Sequence, residues 1–114
     1  MRAAYILIYS DETGSRESIK AWADSEEMVK IWRYDLPNTF YLISENSAQE
    51  LSDSLGVHLG GRGRYLIVEA GENRQGRLPK ETWFLLRNKK KMPKEASTEP
   101  SAERESRTGG IGGD

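Results

Sequence analysis

Cysteine is absent from the 114 residues, and histidine occurs once, at His58. The first absence excludes a disulfide framework and any thiolate metal centre. The second leaves no histidine pair at metal-binding spacing, so a resident metal would have to be held mainly by oxygen. No apolar run approaches the roughly 18 residues of a membrane span. An excess of one charge sign is also missing: 17 basic residues face 18 acidic ones, a net charge of −1. Taken whole, the chain is therefore not a polybasic nucleic-acid binder. The opening apolar run is short and ends in a polar loop rather than a small-residue cleavage site. No secretory signal is expected, and the cytoplasm is the expected location.

What is present divides near Asn88. Among the last 27 residues only Met92, Ala96, Ala102 and Ile111 are hydrophobic, and none is aromatic. Such a composition cannot offset the entropy of ordering, so residues 89–114 are expected to be a disordered tail. The remainder, residues 1–88, has the composition of an ordinary small domain. So small a domain buries a limited share of its surface, and dimerisation would help it.

The elements of that domain follow from pattern and punctuation. Ala3–Tyr9 is an apolar run of strand length, closed by the turn cluster SDETGS. Ser15 is placed to cap a helix whose Ile19, Trp22 and Ala23 form one stripe. Two strand-like segments, Met28–Asp35 and Thr39–Ser44, flank the turn Leu36-Pro37-Asn38. Ser47 and Glu50 form a capping box that opens a helix carrying Leu51, Leu55 and Leu59, which ends at Gly56 or at Gly60-Gly61. Arg64–Ala70 is a fourth strand, and Pro79 opens a terminal helix bearing Trp83, Phe84 and Leu86. The order β-α-β-β-α-β plus a helix predicts an α+β, ferredoxin-like sandwich. Its antiparallel four-stranded sheet carries two helices on one face.

Strand alternation sorts the sheet side chains into two sets. Ala4, Ile6, Ile8, Val29, Ile31, Phe40, Leu42, Leu66 and Val68 are expected beneath the two helices. Tyr5, Leu7, Tyr9, Trp32, Tyr34, Tyr41, Ile43, Tyr65 and Ile67 then form a second face, too apolar to stand in water. The terminal helix, through Trp83 and Phe84, and a second subunit are expected to cover it. Tyr5, Tyr9, Trp32, Tyr41 and Tyr65 mark that face. Aromatic sheet faces of this topology can also stack bases, but TFYLIS lacks the aromatic-glycine-rich string of that mode.

Residues able to carry chemistry are few. Asp11, with Glu12 beside it, follows the first strand and is the candidate metal ligand, the metal being Mg²⁺. Arg62, Arg64, Arg74, Arg77 and Lys80 are candidates for phosphate contact, although they flank opposite ends of the fourth strand. His58 reads as a solvent-facing helix-end residue, and no serine lies in a nucleophile elbow.

YILIYSDET, the hairpin WRYDLPNTFYLIS and the run from GRYLIVEAG to LPKETWFLL together resemble small bacterial SinR-like proteins. Those in turn are similar to the group of CRISPR-associated protein 2 and VapD. The resemblance covers about residues 3–88 and implies a homodimer of ferredoxin-like domains. In nuclease members of that group, an aspartate directly after the tyrosine ending the first strand is the proposed metal ligand. Here Ser10 follows Tyr9 and the aspartate is Asp11. Two functions follow as expectations: a non-catalytic dimeric interaction module, or a Mg²⁺-dependent nuclease or nucleic-acid binder using Asp11.

Overall fold

The computed structural model describes residues 1–93. Most of the predicted tail, from residue 94 onward, lies outside the described residues. Strand β1 spans Ala3–Tyr9, helix α1 Arg16–Ser25, β2 Val29–Arg33, β3 Thr39–Ser44, α2 Ala48–Leu59, β4 Tyr65–Glu69 and α3 Lys80–Asn88. The sheet order is β2-β3-β1-β4. Every neighbouring pair is antiparallel. The fold is α+β and broadly ferredoxin-like.

Local chemistry sets the boundaries. Ser15 Oγ accepts the Ser18 N–H at the start of α1. Ser47 and Glu50 complete their capping box at the start of α2. Gly60, at φ 67°, ends α2 in a left-handed turn that a side chain would disfavour. Asn38, at φ 55°, turns the β2–β3 hairpin. Pro79 differs from its predicted place: it caps α3 from an extended conformation rather than forming its first turn.

The assignment of strand faces needs correction. Tyr5, Leu7, Tyr9, Trp32, Phe40 and Leu42 share one core with Ile19 and Trp22 of α1 and Leu51, Leu55 and Leu59 of α2; Tyr65 and Ile67 pack against it. The tyrosines of β1 and β4 thus lie beneath the helices, opposite to the expectation. Tyr41 and Ile43 lie on the other face, as expected, with Ala4, Leu85 and Leu86.

The physical reason is that both faces of β1 are apolar, so alternation fixes the two sets without fixing their direction. The phenols decide it. Tyr5 OH donates to Asn46 O at 2.6 Å and Tyr65 OH to Ser52 O at 2.8 Å, acceptors found only on the side of α2. In β2 an irregularity between Val29 and Ile31 moves Ile31 to the α3 side.

Candidate functional site

The acidic candidates lie in the connection after β1. Asp11–Thr13 form a single 3₁₀ turn. It is pinned from both sides: Ser10 N–H donates to Arg64 O, and Thr13 Oγ1 donates to the same carbonyl at 2.6 Å. Gly63 makes this approach possible, because a Cβ there would lie 2.3 Å from Thr13 Cα. Asp11 Oδ1 accepts from Asn38 Nδ2 at 2.8 Å, which ties the turn to the hairpin. Among the described residues, no group of three acidic or histidine side chains is placed to hold a metal ion. Asp11 and Glu12 therefore stand as two neighbouring exposed carboxylates, one of them engaged by an amide.

Asp35 is used quite differently. Arg33 Nε donates to Thr82 Oγ1 at 2.6 Å and lies 3.7 Å from Asp35 Oδ2. Thr82 Oγ1 in turn donates to Asp35 Oδ2, and Tyr41 OH donates to Asp35 Oδ1 at 2.8 Å. Burial pushes the Tyr41 phenol well above its ordinary range, and the Asp35 charge adds to the effect. The network fastens the start of α3 to the ends of β2 and β3.

Sequence reasoning missed this network because Trp83 and Phe84 drew attention to the wrong face of the helix. Both are half-buried, whereas Thr82, Leu85 and Leu86 form the buried stripe. Their i, i+3, i+4 spacing was the available signal.

The basic candidates lie at opposite ends of β4 and at the start of α3. Arg62 and Arg64 precede β4, and Arg62 Nε donates back to Leu59 O. Arg74 stays at the other end of that strand, where its guanidinium donates to Gly71 O. Arg77 lies between Arg74 and α3. Lys80 is carried to the start of α3, two residues before the bonds of Thr82 to Arg33 and Asp35.

His58 Nε2 lies 3.2 Å from Ser18 Oγ and 3.0 Å from Ser18 O, an exposed link between α2 and α1. A ring nitrogen that donates to that carbonyl is not free to take the hydroxyl proton. Tyr5, Tyr9, Trp32 and Tyr41 are all buried, which closes those rings to bases.

Among the described residues one apolar strip of the sheet is exposed. Helix α3 covers the half of its sheet face nearest β2 and β3. On the other half Ile8, Leu66 and Val68 are 45%, 56% and 38% exposed. Ile8 is paired with Leu66, and Val68 with the half-buried Ile6, so the exposed side chains form one continuous strip. Among the described residues the other exposed large hydrophobics, Met1, Leu36 and Val57, stand at residue 1, on the hairpin and on α2.

Comparison with known proteins found no matching family model, no matching curated protein and no matching solved structure. Among the described residues no helix is long and apolar enough to cross a membrane.

Proposed function

We propose that this protein is a non-catalytic interaction module that works as a homodimer, with the strip of Ile8, Leu66 and Val68 as its contact surface. The observation that carries this reading is the strip itself. Three aliphatic side chains on adjacent strands are left in water although a helix covers the neighbouring half of the same face. Contiguous exposed apolar surface of this kind marks contact sites, whereas exposed aliphatics standing singly are ordinary. The resemblance to the SinR-like proteins implies a dimer as well.

Sedimentation equilibrium of the full chain between about 1 and 100 μM tests the reading, a range that separates weak from stable pairing. A dimer is expected for the native sequence and a folded monomer for the double variant Leu66→Lys/Val68→Lys. A native chain that stays monomeric throughout the range overturns the reading. So does cleavage of RNA or duplex DNA that requires Mg²⁺ and is lost in Asp11→Asn, which would establish the nuclease instead.

A further inference from the structure

The two edges of the sheet differ in how they are protected. β2 has an irregular register between Val29 and Ile31 and carries the exposed Lys30, both devices that discourage another strand from pairing. β4 has neither. Its sequence YLIVE pairs with β1 in unbroken register and has no proline or lysine, and its one charge, Glu69, comes last.

The direction of its free hydrogen-bonding groups can be read from its inner side. Ser10 N–H bonds Arg64 O, and Ala70 N–H bonds Ala4 O, so the even-numbered residues face β1. The N–H and C=O groups of Tyr65, Ile67 and Glu69 therefore point outward.

We infer that two copies join along this edge, β4 running antiparallel to β4 about a two-fold axis at Ile67, to make one eight-stranded sheet. The inference rests on the contact-surface reading above and specifies its geometry. A two-fold axis perpendicular to the sheet keeps α1 and α2 of both copies on one face and requires even-numbered residues to oppose even-numbered ones. Centring it on Ile67 pairs all five strand residues: Tyr65 with Glu69 of the second copy, Leu66 with Val68, and Ile67 with itself. Centring it one residue away leaves only three such pairs.

In the Ile67 register the outward-facing residues exchange hydrogen bonds. Leu66 and Val68 form the closer, non-hydrogen-bonded pairs, about 4.5 Å between Cα atoms. Their side chains then join the two exposed strips into one.

Charge selects the same partner and direction. Arg62 and Arg64 flank the start of β4, and Glu69 and Glu72 lie at its end. Antiparallel pairing sets each basic end beside the acidic end of the other copy, twice by symmetry. Parallel pairing would oppose like charges.

The absence of cysteine makes the test clean. Full-length Leu66→Cys and Val68→Cys chains are oxidised separately and as a mixture. The mixture is expected to form a disulfide-linked pair of the two variants several-fold faster than either chain links to itself, because Leu66 opposes Val68 and not another Leu66. Ile67→Pro, which removes an N–H that bonds nothing within the sheet, is expected to give a monomer with unchanged circular dichroism. Equal linking rates, or an Ile67→Pro chain that is folded and dimeric, overturn the edge pairing. If Leu66→Lys/Val68→Lys is monomeric at the same time, the contact surface stands and only its geometry falls. A monomeric native chain overturns both.

Discussion

At the scale of single residues, glycine and threonine decide the shape of the loop that holds Asp11. Gly63 has φ 78° and no room for a Cβ against Thr13, whereas Gly60 has φ 67° and nothing within 4 Å. The two positions separate conformational cost from steric cost. Gly60→Ala is expected to lower stability by about 1 kcal/mol, the cost of a left-handed alanine. Gly63→Ala is expected to cost about 2 kcal/mol or more, since Thr13 must also move and surrender its bonds to Arg64. Urea unfolding of the two variants checks this, and equal losses would show that the close approach is unimportant. The sequence GGRGR identifies a connector rich in glycine. Which glycine is indispensable depends on Thr13, fifty residues earlier, and no local pattern contains that information.

At the scale of elements, the starts of α1 and α2 were legible because capping is local chemistry. Ser15, Ser47 and Glu50 act within three residues of themselves. Strands β1 and β3 were equally legible, being short apolar runs closed by turn residues. The direction of β1 was not. Ala4, Ile6 and Ile8 on one side and Tyr5, Leu7 and Tyr9 on the other are both apolar enough for a core. The choice rests on hydroxyl acceptors at Asn46 and Ser52, supplied by distant segments. For the same reason the strip at Ile8, Leu66 and Val68 was expected to be buried.

The docking of α3 also depends on one hydroxyl. Thr82→Val keeps the shape but removes the hydroxyl that bonds both Arg33 and Asp35, and is expected to cost about 1.5–3 kcal/mol. Thr82→Ser keeps the bonds and is expected to cost about 1 kcal/mol for the lost methyl. Chemical denaturation of both variants measures the difference, and Val no worse than Ser would dismiss the network as a fastening for α3.

At the scale of the whole molecule, the proposed pairing through the sheet edge would make the stability of so small a domain depend on its own concentration. Each tenfold increase in protein is expected to raise the thermal midpoint of the native chain by about 3–5 °C. Leu66→Lys/Val68→Lys is expected to show no such rise. Calorimetry at several concentrations reads this directly, and a midpoint independent of concentration in the native chain would exclude pairing that is coupled to folding.

The strand order has a consequence for how the chain is made. Among the described elements β1 leaves the ribosome before the others, yet it lies inside the sheet, and its neighbour β4 is encoded 64 residues later, Tyr5 pairing with Glu69. At a synthesis rate of about 5–20 residues per second, one edge of this apolar strand stays unpaired for roughly 3–13 s during translation. The hairpin of β2 and β3 emerges in that interval and can occupy the opposite edge. A three-stranded stage formed in this way would have β1 itself as its open edge, exposed to capture by other new chains or by chaperones.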